Sequence, residues 1–496
     1  MRITADCDAG YRLFHDGVIA LAQVEAAGQR IDLVNLKRAM AEAEGKIERL
    51  KEKLTAHEVW RVWRRRFGLE ANLDSRPQLG KVLYEEMKYK SSSKTEGGDR
   101  ESTDESALLA LADEQPFVVG YMKLQKIQKA YGTYLKGIAR EVTAEGFIHP
   151  VFNLHTVQTY RSSSDSQQYP VRNQEMGELV RRNFIARDGH VLVENDFKGI
   201  EVTLSAAYHH DPVFIKYISD PKMDMHRDLA MQLYNLDRDE WKQLSKGSKS
   251  VRHAAKNKFV FPQFYGDWFV NCATNLWEEI DSSNLRGPDG ASLRDHLYSK
   301  GMAELGRYDG ENKETTPGSF MAHVQEVEHD FWYNRFKVYG QWRKDWFESY
   351  LKTGQFRSLT GFLYQGVMRR NEVTNYAIQG SAFHCLLWSL IRIQRELRRN
   401  KMRTKIVGQI HDSILADVYI PELDQYLEIV RRVTERDILK DYDWLIVPLS
   451  IECEISPIGK SWHDKRSVDI RRDTNTYSVE GFNGSAIDLL KFWQGS

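Results

Sequence analysis

The apolar positions Leu33, Leu36, Met40, Ala43, Ile47, Leu50 and Leu54 alternate three and four apart, which predicts a long helix with one apolar seam and Asp32 as its N-cap. A second seam, Leu124, Ile127, Tyr131, Tyr134 and Ile138, keeps the same rhythm in a segment carrying Lys123, Lys126, Lys129, Lys136 and Arg140. Together they predict an antiparallel helical pair with a basic flank, and periodicity alone favours a structural pair over a binding role. Between them, Asn72-Leu73-Asp74-Ser75-Arg76-Pro77-Gln78-Leu79 is a capping sequence for a short helix. Its free amides could hold a phosphate, although such ends far more often only cap.

Elsewhere the pattern turns β-prone. Val191-Leu192-Val193-Glu194-Asn195-Asp196 is apolar, ends on an aspartate, breaks at Lys198-Gly199 and resumes as a helix from Ile200. Asp196 is therefore expected at a strand's end, where a carboxylate reaches a ligand. Lys405 to Ile410 and Ile414 to Val418 are two short β-prone runs around His411-Asp412-Ser413, a hairpin with Asp412 at its turn. Ser91 to Ser106 has no apolar period and reads as a mobile loop. A polar stretch from roughly Asp281 to Gly318 reads as an insertion in a helical lobe, and a charged tail from about Arg466 ends in Leu489-Leu490-Lys491-Phe492-Trp493. That tail docks on the body or on a partner, and the pattern does not choose.

At 496 residues the chain is expected to form two to four lobes. Lys plus Arg number 70 and Asp plus Glu number 70, which excludes a uniformly basic coat protein and leaves any anionic polymer to local patches. Four cysteines, Cys7, Cys272, Cys385 and Cys453, lie far apart, which excludes a disulfide scaffold or a recognisable zinc site. No apolar run approaches the ~18 residues that cross a bilayer, and the start MRITADCDAG lacks a signal-peptide core. A soluble, cytoplasmic chain without membrane contact is expected.

Two carboxylates presented from neighbouring strand ends suit a two-metal site, because Mg²⁺ accepts one or two carboxylates plus substrate phosphates. Either aspartate alone would read as a turn former. Between them lies Val251-Arg252-His253-Ala254-Ala255-Lys256-Asn257-Lys258-Phe259-Val260-Phe261-Pro262-Gln263-Phe264-Tyr265-Gly266, cationic at first and then aromatic. That order suits a triphosphate held by cations while base and sugar pack on rings. Taken singly, the stretch reads as a buried aromatic helix with a solvated basic start.

Together the three segments resemble DNA polymerase family A. Asp196-Phe197-Lys198-Gly199-Ile200-Glu201 is similar to its motif A, Arg252 to Gly266 to motif B, and Gln409-Ile410-His411-Asp412-Ser413 to motif C, in the family's order. Thr159 to Asp165 and Pro170-Val171-Arg172 resemble the segment ahead of motif A, Asp224-Met225-His226 follows it at a suitable distance, and Asn375 to Gly380 resembles the palm helix. Asn72 to Leu79 and Lys126 to Leu135 are similar to the thumb.

The resemblance implies an α+β right-hand fold: a palm-associated segment 1–30, a helical thumb 31–145 with its tip near 70–106, palm 146–225, fingers 226–360 with an insertion near 281–318, palm again 361–465 with a small antiparallel sheet, and a tail 466–496. It implies primer extension with dNTPs, in which Asp196, Asp412 and the Phe197 carbonyl hold two Mg²⁺ ions, with Mn²⁺ able to substitute. Arg252, Lys256 and His226 are the implied phosphate contacts, with Lys256 protonating pyrophosphate. Glu201 is the implied steric gate, Phe261 stacks on the nucleotide, Tyr265 covers the template base, and Ile200 and Arg172 line the nucleotide site. Arg161, Asn375, Gln379 and His411 are implied contacts to primer-template DNA, as are Asn72 and Ser75 in the thumb. A monomer is expected, with a separate exonuclease or replisome protein as a possible partner.

Three departures qualify the match. Lys256 lies nine residues before Tyr265 where the family has eight, and Pro262, lacking an N–H, predicts a one-residue bulge that returns Arg252 and Lys256 to the working face. A straight helix would promote Lys258 instead. Ser413 stands where the family commonly has glutamate, and Thr203 where it often has arginine. About 195 residues precede Asp196, the thumb takes most of them, and a proofreading domain would need on the order of another 150, so no 3′ to 5′ exonuclease is expected in this chain. The rival readings are a single-subunit phage-type RNA polymerase, opposed by Glu201 and the thumb segments, an inactive DNA-binding accessory protein, opposed by both aspartates, and a two-metal nuclease, which has no need of the cationic-aromatic helix.

Overall fold

The computed structural model describes residues 7–91, 101–164, 169–170, 175–244, 247–471 and 476–495. Arg172 and most of the expected loop 91–106 lie outside them. Asp32 caps the helix Leu33–Ala56 by accepting from the Val34 and Asn35 amides. Leu36, Ala43, Ile47 and Leu54 of its seam are buried, while Leu33 is exposed. The second seam is broken: the helix Phe117–Lys129 passes through a π turn at Ala130–Leu135 before Lys136–Glu141. The extra residue per turn rotates Ala130 and Leu135 into the core in place of Tyr131 and Tyr134. The pair is antiparallel, since Tyr131 donates to Glu44 while Gly120 packs against Leu54. These helices, Glu58–Phe67 with its buried Trp63, and Leu79, Val82 and Leu83 form one hydrophobic core.

A second core draws on residues 206–339, among them Phe214, Leu229, Phe259, Leu276, Phe320 and Phe331. The polar stretch 281–318 is anchored in it by Leu293 and Leu297 of the helix Leu293–Ser299, and ends in a hairpin pairing Tyr308–Asp309 with Glu314–Thr315. The third core lies around the long helix Arg370–Arg399 and a sheet.

That sheet has seven strands, all antiparallel, in the order Phe482–Gly484, Thr476–Val479, Arg466–Arg471, Ile451–Ile455, His190–Phe197, Ser413–Tyr419, Lys405–Ile410. It is larger than the small sheet expected, because the tail supplies three strands. The tail then closes with the helix Ala486–Gly495, whose Leu489 and Leu490 are buried, so it docks on the body. Among the described residues no helix is long and apolar enough to cross a membrane.

Candidate active site

The central strand His190–Phe197 and the hairpin beside it bring the two aspartates together. Asp196 pairs across the ladder with Ser413 on one side and Glu452 on the other. The Phe197 N–H donates to the Asp412 carbonyl at 3.2 Å, lacing the strand's end to the turn, while the Phe197 ring is buried in the core. Burial first, then the Asp412 carboxylate, pushes the Asp196 pKa up to about 7. Asp196 Oδ1 is shut off from solvent and has no hydrogen-bond donor among the described residues. Its neighbour is another acceptor, so the two share a hydrogen bond only when one carries a proton. Paired oxygens in need of positive charge fit a hard divalent cation. Among the described residues no cluster of three or more His, Cys, Asp or Glu side chains could hold a metal alone. The donor set is thus the sparse one that suits Mg²⁺ completed by substrate oxygens.

Beside the aspartates a cavity of about 340 Å³ is lined by Arg161, Ile200, Glu201, Phe261, Tyr265, Asn375, Gln379, His411 and Asp412, backed by Phe264, Tyr339 and Phe383. Glu201 enters it from the first turn of the helix Ile200–His209, which starts after Gly199 at φ +56°. Its carboxylate accepts from Tyr265 Oη at 2.6 Å and Arg161 Nη1 at 3.2 Å. Burial, reinforced by Glu201, drives the Tyr265 phenol up. Asn375 Nδ2 donates to the Tyr265 carbonyl at 3.1 Å.

The cationic-aromatic helix carries the expected bulge. Ser248–Ala255 and Phe261–Tyr265 are α-helical, but Lys256–Val260 is a π turn in which the Phe261 N–H reaches the Lys256 carbonyl. Pro262 has no N–H to give Lys258, which removes the α-helical competitor at that point. The consequence is seen in the side chains. Lys256 Nζ sits 4.9 Å from the Phe261 ring centre, whereas Lys258 turns to Glu279 at 3.4 Å.

His226 meets the Phe261 ring edge-on at 5.9 Å, and Arg252 Nε donates to Asp224 Oδ2 at 2.7 Å. Burial, then Arg252 and Lys256, hold the His226 pKa down at about 4, so it presents a neutral imidazole. Arg252, Lys256, His226 and Phe261 thus form one cluster contiguous with the cavity.

Asn72 and Ser75 do not line the cavity. Asn72 accepts from the Asp74 amide, and Ser75 caps Arg76–Gly80 by accepting from Gln78. Sequence reasoning missed Asn371, whose Nδ2 donates to the Gly266 carbonyl at 3.1 Å. Its signal was available, since Asn371, Asn375 and Gln379 are spaced four apart on one helix. Gly266, at φ +90°, closes the Phe261–Tyr265 helix, and a Cβ there would lie 2.1 Å from Asn371. Gln409 and Ser162 lie in two of the segments that carry the resemblance, but nothing in the sequence pairs them.

The sequence profile described as DNA polymerase family A matches residues 35–282 and 359–464. DNA polymerase I of Lactococcus lactis subsp. lactis is 25% identical over 456 residues, 90% of this chain and 45% of that protein. The DNA polymerase of Bacillus phage SP01 is 25% identical over 439 residues, 84% of this chain and 42% of that protein. The thermostable DNA polymerase I of Thermus aquaticus is 32% identical over 223 residues, 44% of this chain and 26% of that protein. The chain therefore spans less than half the length of these relatives. Among solved structures, the POL domain of Pol1 from M. smegmatis, in complex with DNA primer-template and dNTP, superposes with a TM-score of 0.68 at 21% identity, covering 90% of this chain and 70% of that one. With its mixed helices, antiparallel sheet and three motifs in order, this chain has the right-hand fold and belongs to DNA polymerase family A.

Proposed function

We propose that the chain is a template-directed DNA polymerase that extends a primer 3′-hydroxyl with dNTPs by two-metal nucleotidyl transfer. The observation that carries this reading is the meeting of Asp196 and Asp412, with Arg252 and Lys256 returned by the π turn to the face that holds Phe261. In this reading 31–145 is the thumb, 226–360 the fingers, and 146–225 with 361–465 the palm, to which 1–30 and 466–496 attach. Primer-template DNA would lie across the palm, contacted by Arg161, Asn375, Gln379 and His411.

Asp196 and Asp412 would hold two Mg²⁺, with the Phe197 carbonyl completing one shell. When bound, the metals supply an acidified primer hydroxyl and neutralisation of the triphosphate. Arg252 and Lys256 bind and orient the phosphates, and their charge acts more strongly as negative charge develops on the leaving group. Lys256 would give that group a proton. Phe261 packs on the base and sugar. Glu201, fixed from two sides by Arg161 and Tyr265, crowds the sugar's 2′ position and so excludes ribonucleotides. His226, a neutral imidazole, would offer the triphosphate a ring N–H donor.

Primer extension with Mg²⁺ tests the reading. Extension with dATP and little with ATP is expected, and Asp196→Ala or Asp412→Ala should abolish it while primer-template affinity stays within about twofold. Extension retained by either variant would refute the assignment, and equal use of ATP would point to an RNA polymerase.

A further inference from the structure

Two residues other than glycine stand in the left-handed region beside the site, Tyr160 at φ +53° and His411 at φ +52°. For a bulky side chain this is strained, and it persists only where the surroundings over-determine it. His411 directly precedes the metal-binding Asp412, and Tyr160 directly precedes Arg161, the partner of Glu201. The two strained points are joined by one hydrogen-bonded path. Gln409, fully buried on the strand leading into the turn, donates from Nε2 to the His411 carbonyl at 2.6 Å. Its other amide atom, Oε1, accepts from Ser162 Oγ at 2.5 Å.

The path is rigid at both ends. The Tyr160 carbonyl lies 3.1 Å from His384 Nε2, and Tyr160 Oη donates to the Leu363 carbonyl at 2.9 Å, which fixes the segment bearing Ser162 to the helix Arg370–Arg399 and to the hairpin that pairs Gln355–Arg357 with Leu363–Gln365. At the other end the Asp412 carbonyl accepts from Phe197 N–H, so any rotation at His411 moves the turn against the Asp196 strand. An amide can face two ways; the His411 carbonyl, which only accepts, selects the one that aims Nε2 at it, and the Ser162 hydroxyl then donates to the Oε1 left on the other side.

We propose that Ser162 and Gln409 form a positioning latch that holds His411 left-handed, sets the Asp412 carboxylate for metal, and couples its placement to the Arg161–Glu201 wall of the nucleotide cavity. Neither residue touches the reacting atoms. The inference rests on the polymerase reading. It gives Arg161 and Ser162, neighbours in sequence, complementary duties: one governs the sugar gate, the other the metal ligand. A terminal base pair that displaced Arg161 would pull on the latch, so correct geometry at the primer end and correct placement of Asp412 become one event.

The test compares the parent protein with Ser162→Ala, Ser162→Thr and Gln409→Met. Single-turnover extension is read together with Mn²⁺ affinity, measured by electron paramagnetic resonance on the protein bound to a dideoxy-terminated primer-template and dNTP. Gln409→Met should slow the maximal rate by roughly 30- to 100-fold and Ser162→Ala by roughly 5- to 10-fold, the scale of a displaced reacting group. Mn²⁺ binding should weaken by about 5- to 10-fold in both, as when an outer-shell partner of a metal ligand is lost. Primer-template affinity and the melting temperature of Ser162→Ala should match the parent, and Ser162→Thr should restore rate and Mn²⁺ affinity.

Parent-like rate and Mn²⁺ binding in both Ser162→Ala and Gln409→Met would overturn the latch, and so would equal losses in Ser162→Ala and Ser162→Thr, which mark mere packing. If Gln409→Met does not fold, the Ser162 pair decides alone. Failure of the parent to extend any primer would instead overturn the polymerase reading beneath it.

Discussion

Asp196 is the residue at which fold and chemistry conflict most directly. Its raised pKa means the native state binds a proton more readily than the unfolded chain. The stability this contributes is full below the ordinary carboxylate value and is lost as pH rises through about 7. Metal-free protein should therefore be more stable near pH 5.5 than near pH 8, and Mg²⁺ should recover stability at the higher pH. Asp412→Asn removes the carboxylate contribution but leaves the burial, so it should raise metal-free stability at pH 8 by about 1 kcal/mol, a value reduced by the site's opening to solvent. It should also abolish the stabilisation by Mg²⁺. Thermal unfolding with and without Mg²⁺ at the two pH values reads both effects; a variant that melts like the parent in all four conditions would contradict the pairing. Both aspartates were legible in sequence because a strand's end and a hairpin turn are short-range patterns. Gln409 was not, because its worth lies in Ser162, 247 residues away in the chain.

Between residues and molecule stand the elements, where periodicity served well until a helix changed its winding. The seam Leu36, Ala43, Ile47 and Leu54 and the Asp32 cap are present as the spacing requires. The second seam failed at Tyr131 and Tyr134 because nothing in Ala130–Leu135 announces a π turn, whereas Pro262 announced the one at Lys256–Val260. Proline removes an N–H that sequence can count, and π turns formed by tertiary packing leave no such mark. Further π turns occur at Lys81–Glu86, Asp330–Arg335 and Val433–Asp437. Inserting one alanine between Asn257 and Lys258 adds a residue beyond the one the π turn at Lys256–Val260 absorbs, and should swing Arg252 and Lys256 by roughly 100° relative to Phe261. The insertion variant should show a dNTP KM raised by about tenfold or more with primer-template affinity unchanged. Steady-state kinetics read the former and fluorescence anisotropy the latter. An unaltered KM would show that the register of Arg252 and Lys256 against Phe261 has no part in nucleotide binding.

For the whole molecule, zero formal net charge conceals an uneven distribution, with basic side chains on the helices of residues 58–67 and 117–141 and carboxylates at the sheet's end. Affinity for primer-template DNA should still fall linearly on a double logarithmic plot against salt, because phosphate contacts release counterions. Anisotropy titrations from 50 to about 200 mM salt give the slope, and a flat plot would rule out a phosphate-dominated interface. The Leu33–Ala56 helix, the strand with Asp196 near its end and the hairpin at Asp412 were legible. The reach of the sheet was not, because the tail's strands between Arg466 and Gly484 are short and carry no more than two apolar positions each, too few to mark them against their charged surroundings.

Those added strands have a bearing on solubility. Ile451–Ile455, next to the Asp196 strand, is kept from being an edge by Arg466–Arg471, and the row finishes in a strand of only three residues followed by the helix Ala486–Gly495. So short a border gives a foreign strand little backbone to zip onto. A version cut after residue 465 would bare a longer, more apolar margin, and should clump on mild warming, seen by light scattering, at temperatures where the full chain stays dispersed. Equal scattering from both would show that these last strands guard nothing.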